Sequence, residues 1–185
     1  ELYFGPEAPR CSKAMDTEGL VLHVSSFSKC LAPGYRLGWV AAGRYAKEVQ
    51  RQKYSTSLAT AVPMQIALAD YLKHGGFDNH LRHLRRQLAR QEAQLLAGIE
   101  EHFPPGIRLA RPDGGYFLWL ELPPRIDTLR LHEEALAQGV SIAPGPIFSA
   151  KREFSNYLRL NFGHPATTRQ DDALATLGRL IKRQL

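Results

Sequence analysis

The sequence has little sulfur and no long apolar run. Among 185 residues there are two cysteines, Cys11 and Cys30, and two methionines. Neither cysteine stands at metal-ligand spacing, which argues against a zinc or disulfide framework; reduced thiols of the cytosolic kind are expected. No run of eighteen apolar residues exists, so no helical membrane span is expected. The opening ELYFGPEAPR lacks a basic stretch before an apolar core and does not read as a secretory signal, so a cytoplasmic location is expected. The chain does not begin with Met, and ELYFG reads as a strand end or the turn after it. A segment of a longer protein is therefore expected. Internal repeats and low-complexity tracts are absent.

What is present is a basic balance, +6 with a pI near 9.5, carried by seventeen arginines against seven lysines. Part of it lies in HLRHLRRQLARQ, His80 to Gln91. Leu81, Leu84, Leu88, Leu95 and Ile99 recur there at helical spacing, the apolar stripe of a long amphipathic helix. Arg82, Arg85, Arg86 and Arg90 fall mainly on other faces. A solvated or interdomain helix face explains them better than nucleic acid, because the aromatic interleaving of a single-strand binder is missing. His80 and His83 stand three apart but lack a third ligand, so no metal site is expected.

Along the chain, GLVLHVSSFSK reads as a buried strand ending in a functional loop, and YRLGWVAAG as a second strand. RYAKEVQRQKY and TAVPMQIALADYLKHGG read as helices, followed by the arginine-leucine helix from about Asp78 to His102. GIRLARPDGGYFLWLELP predicts two strands around a turn. TLRLHEEALAQG is a helix closed by Gly139, VSIAPGPIFS a short strand and loop, NYLRLNFG a strand, and the last nineteen residues or so a helix. The expected class is α/β. Residues 1–76 would be the end of a large sheet domain, and 77–185 a small α+β domain begun by the long helix. Trp39 and Trp119 are expected to fill cores, and His23 to be a satisfied core residue.

The chemistry concentrates in SSFSKCLAPGYRLGWV, Ser25 to Val40. A lysine at a partly desolvated strand end can act as a nucleophile or Schiff-base former. Hydroxyls beside a guanidinium make a phosphate or carboxylate site, and Pro33-Gly34 would fold Arg36 back beside Lys29. An amine next to an anion clamp is what pyridoxal phosphate requires. On composition alone, a surface turn with an incidental lysine remains an equal alternative.

SFSKCLAPGYRLGW is similar to the lysine motif S-x-S-K-x-x-x-P-G-x-R-x-G of fold-type I, class I/II aminotransferases. SLATAVPMQIALADYL, HLRHLRRQL, RPDGGYFLWLELP, SIAPGPIFS and YLRLNFGHP follow in the family's order over nearly the whole chain. The details most resemble the aminotransferase-like domain of MocR-type (GntR-superfamily) transcription regulators. The resemblance implies that Lys29 forms a Schiff base with pyridoxal 5'-phosphate and later serves as the base that moves the Cα proton. It implies that Ser26, Ser28 and Arg36 surround the cofactor phosphate. Arg159, in YLRLNFG, matches the arginine that grips a substrate α-carboxylate; a structural salt bridge is the alternative. Phe148 and Ser149 lie in a loop that approaches the substrate in relatives, although hydrophobic packing explains them equally well. The resemblance puts the Asp and Tyr that bond the pyridine nitrogen and phenolic oxygen upstream of Glu1. This chain alone is thus expected to bind the cofactor poorly and to transaminate hardly at all.

Three functions follow as expectations. The first is the sensing domain of a MocR-type regulator that takes an amino acid or amine, with residual chemistry toward a 2-oxo acid. It would be homodimeric and reach DNA only through a winged helix outside this chain. The second is a free-standing aminotransferase of the aminoadipate or kynurenine type. The third is a segment serving only folding and dimerisation.

Overall fold

The computed structural model describes all 185 residues, which divide into two compact units, Glu1–Arg85 and Arg86–Leu185. The division falls inside one helix, and the boundary expected at 76/77 lies at that helix's first turn.

In the first unit, strand β1 (His23–Ser26) pairs antiparallel with β2 (Gly38–Ala41), in the register His23 to Ala41 and Ser26 to Gly38. Helices α1 (Ala46–Ser57) and α2 (Val62–Lys73) follow, and α3 (Gly76–His102) begins here. Pro63 in the first turn of α2 suits a position whose N–H has no partner inside the helix. The unit's buried apolar residues are few: Cys30, Leu37, Ala42, Leu68 and Leu81. The buried strand expected at GLVLHVSSFSK is not what forms. β1 alternates between half-buried and exposed residues, β2 is exposed along its length, and Val24 is 68% exposed. A two-stranded ribbon has too little surface to bury both of its faces, so its apolar side chains stay open within this unit. For the same reason Trp39 does not fill a core; it is exposed and meets the His23 ring edge-on at 4.8 Å.

The second unit carries an antiparallel sheet in the order β3-β4-β6-β5: β3 (Arg108–Ala110), β4 (Phe117–Glu121), β6 (Tyr157–Asn161) and β5 (Ala143–Pro144). Alternation along the two central strands decides its sides. Leu118, Leu120, Leu158 and Leu160 are buried, whereas Phe117, Trp119, Tyr157 and Arg159 are half-buried on the opposite face. The core contains Leu88, Leu95 and Ile99 of α3, Leu131 and Ala135 of α4 (Thr128–Leu136), and Leu174, Leu177 and Ile181 of α5 (Thr168–Gln184). Each fully buried leucine contributes about 2 kcal/mol. Both later helices start on capping side chains. Asp127 accepts from the N–H groups of Leu129 (2.9 Å) and Arg130 (3.3 Å), and Thr167 from that of Gln170 (3.3 Å). Gly139, at φ +77°, follows α4 in the left-handed conformation that glycine adopts without strain. No helix is long and apolar enough to cross a membrane.

Candidate functional site

Lys29 sits in a turn, residues 27 to 31, directly after β1. The turn closes on the Phe27 carbonyl, which accepts from Leu31 N (2.9 Å) and Ala32 N (3.0 Å). Lys29 itself is exposed, so the partial desolvation expected of it is not found within this unit.

The predicted hydroxyls and guanidinium do come together. Ser26 Oγ accepts from Ser28 N at 3.1 Å and donates to the Leu37 carbonyl at 3.4 Å. Arg36 Nη1 donates to Ser28 Oγ at 3.3 Å and to the Pro33 carbonyl at 3.5 Å. Pro33–Tyr35 form one turn of 3-10 helix, and Arg36 ends it in the left-handed region, at φ 52° and ψ 36°. For a non-glycine residue that conformation costs about 1 kcal/mol, and such strain gathers at functional positions. None of the chain's ion pairs includes Arg36. Gly38 completes the device: a Cβ there would press on the Ser25 carbonyl, so the close pairing with β1 excludes any side chain.

Arg159 belongs to the second unit, in the middle of its sheet. It lies opposite Trp119 on β4 and opposite Ala143 on β5. The segment leading into β6 is fixed by Thr128 Oγ1, which donates to the Ser155 carbonyl at 2.8 Å, and by Asn156 Nδ2, which donates to the Leu122 carbonyl at 2.6 Å. The guanidinium lies 4.0 Å from the Phe117 ring centre and 4.5 Å from that of Phe148. No carboxylate approaches it within ion-pair distance, so the salt-bridge alternative finds no partner. Two rings lie against the guanidinium, and its fork of N–H groups suits a planar, two-oxygen acceptor.

Around Arg159 the sequence reading missed an aromatic cluster. Trp119 stacks on Tyr157 at 5.6 Å and meets Phe148 and Phe154 edge-on at 5.5 and 5.7 Å. Trp119 therefore joins this half-buried cluster on the outer sheet face rather than the leucine core. Phe148 packs on Trp119 and Arg159 and still keeps 43% of its surface. Its partner Ser149 donates to Glu153 at 3.3 Å. Phe154 adopts φ 64°, a strained value for an aromatic residue, and Gly145 packs directly beneath its carbonyl. The sequence also gives no sign of the contact that His80 makes: its Nε2 lies 2.8 Å from the Cys30 carbonyl. No local pattern announces a contact fifty residues apart.

Comparison with known proteins decides the family. The profile described as "Aminotransferase class I and II" matches residues 1–175. The chain belongs to the class I and II aminotransferase family. It is 45% identical to the HTH-type transcriptional regulator YdcR of Escherichia coli K12, over all of this chain and 40% of that protein. It is 34% identical to aromatic-amino-acid aminotransferase 1 of Thermococcus litoralis, again over its whole length and 45% of the relative. Among solved structures, Pyrococcus horikoshii kynurenine aminotransferase superposes with a TM-score of 0.91 at 32% identity, covering 100% of this chain and 46% of that one. The chain thus spans less than half the length of these relatives. The fold is that of the fold-type I pyridoxal-phosphate aminotransferases, and pyridoxal phosphate is the family's cofactor. The residues present fit it: an exposed primary amine shares its turn with Ser28, whose hydroxyl accepts from a guanidinium with no acidic partner, and the Ser26 hydroxyl ends the strand just before.

Proposed function

We propose that this chain is the cofactor-anchoring and carboxylate-gripping part of the aminotransferase-like domain of a MocR-type transcription regulator, which binds an amino acid or amine. The observation that carries the site is the linked set Ser26, Ser28 and Arg36, joined at 3.1 and 3.3 Å and without an ion-paired carboxylate, around the turn that presents Lys29. The 45% identity to a regulator over the full length of the chain favours the sensor reading.

In this reading Lys29 would hold the cofactor through its amine, at the aldehyde carbon. Ser26, Ser28 and Arg36 hold its phosphate, and Arg159 takes the ligand's α-carboxylate. Bound pyridoxal phosphate supplies an electron sink for chemistry at the ligand's Cα. The Lys29 amine would also be the base that takes the proton from that carbon. The full protein is a homodimer whose partner subunit completes each site, and DNA is reached through a winged helix outside this chain.

The test uses the full-length protein mixed with pyridoxal phosphate and reduced with borohydride. Peptide mapping is expected to find the modified residue at Lys29; label elsewhere, or none, removes the cofactor reading. Arg36 gives a second check with two opposed signs. Arg36→Gly relieves the left-handed strain and is expected to raise thermal stability slightly, by about 1 kcal/mol. The same change deletes charged hydrogen bonds worth about 2 kcal/mol, so cofactor affinity should fall roughly thirtyfold. Unchanged affinity would give Arg36 a purely local role.

A free-standing aminotransferase is the second reading, favoured by the 0.91 superposition on a kynurenine aminotransferase. Specific DNA binding by the full-length protein separates the two.

A further inference from the structure

Lys29 is exposed, and nothing around its side chain fixes where the amine points; the backbone of its turn must do so. Two side chains hold the peptide units one removed from Lys29 on either side. On the N-terminal side the Ser28 N–H donates to Ser26 Oγ at 3.1 Å. On the C-terminal side the Cys30 carbonyl lies 2.8 Å from Nε2 of His80, on the second turn of α3. A carbonyl only accepts, so His80 Nε2 carries the proton and donates. Ser26 is local to the turn, whereas His80 arrives from fifty residues along the chain. Two further contacts support the same docking. The Phe27 and Phe77 rings meet edge-on at 5.9 Å, and buried Cys30 turns its thiol back to the Ser26 carbonyl at 3.7 Å.

We propose that His80 is a positioning residue for Lys29. By holding the Cys30 carbonyl it sets the direction in which the lysine side chain leaves the turn, and so keeps the amine oriented for attack on an aldehyde carbon. Released from His80, the peptide joining Cys30 to Leu31 keeps only its Leu31 N–H bond to the Phe27 carbonyl and can tilt about it. The amine then spends less time in the productive direction, a positional loss that lowers rate without removing a reacting group. The proposal rests on the reading of Lys29 as the cofactor lysine.

The experiment compares wild type, His80→Ala and His80→Gln in the full-length protein; glutamine keeps a side-chain N–H donor. Three quantities are measured: the rate at which borohydride-fixed pyridoxal phosphate appears on Lys29, the equilibrium cofactor affinity, and the thermal midpoint. The alanine variant is expected to slow attachment at Lys29 and weaken affinity by about tenfold each, as positional losses do. The glutamine variant is expected to recover most of both. If wild type is not labelled at Lys29, the cofactor reading itself falls. If wild type is labelled and His80→Ala matches it, only the positioning role falls. A glutamine variant no better than alanine also overturns the proposal, because the loss then does not come from the hydrogen bond.

Discussion

Arg159→Ala in the full-length protein is expected to weaken binding of an α-amino acid by about two orders of magnitude while leaving cofactor affinity within about threefold. The magnitude comes from losing a two-pronged charged contact, about 3 kcal/mol, at roughly tenfold in affinity per 1.4 kcal/mol. The selectivity comes from the proposed roles: Arg159, opposite Trp119 and Ala143 in its sheet, takes the ligand's carboxylate, whereas Ser26, Ser28 and Arg36 take the cofactor's phosphate. A structural role makes a different prediction. The guanidinium lies over Phe117 and Phe148, and each such contact is worth about 0.5–1 kcal/mol, so alanine also removes packing. Arg159→Lys separates the two effects. It keeps charge and stem but lacks the planar fork, and should recover only part of the amino-acid affinity. Titration calorimetry with an amino acid, alongside cofactor titration, reads both. An equal fall in the two affinities would assign Arg159 to the fold rather than to a ligand.

The lysine turn was legible because its chemistry is local. Two serines, a lysine, a Pro-Gly turn and an arginine at fixed spacing need only one turn of 3-10 helix to converge, and Arg36 does reach Ser28. The small-domain strands were legible for a similar reason. LWL and LRL alternate so plainly that a one-residue slip would have put Trp119 and Arg159 in the leucine core. What stayed hidden depended on register and partners. The rings over Arg159 come from β4 and from the Gly145–Phe148 turn, and only tertiary packing puts them beside β6. Apolar residues in GLVLHVSSFSK state a wish for burial but do not name what covers them. Hence β1 reads as buried, while within its unit Val24 lies open. The His80 bond to Cys30 was hidden because a histidine on a helix has many uses, and only the fold chose one.

The largest effect on stability is expected at Gly178, where α5 passes the end of α3. A Cβ built there would fall well inside contact distance of the His102 carbonyl, and that obstacle is backbone. One turn earlier on each helix, Gly98 of α3 lies under the Leu174 side chain of α5, so glycine on both helices permits the approach. Glycine inside a helix normally costs about 1 kcal/mol against alanine, so Gly178→Ala would be mildly stabilising if there were room. There is none, and the helices must part. Separating them disturbs Leu174, Leu177 and Ile181, all buried, together with the His102 to Asp171 contact at 3.0 Å. Overpacking of this kind costs about 2–3 kcal/mol, which in a chain of this size lowers the thermal midpoint by roughly 5–10 °C. Gly139→Ala is the control. Its φ of +77° makes alanine strained, but nothing lies within 4 Å, so its cost is the conformational one alone, about 1 kcal/mol. Thermal unfolding of the two variants should therefore separate crowding from strain. If Gly178→Ala is as mild as Gly139→Ala, the helices can shift apart without penalty, and the close crossing does not hold the second unit together.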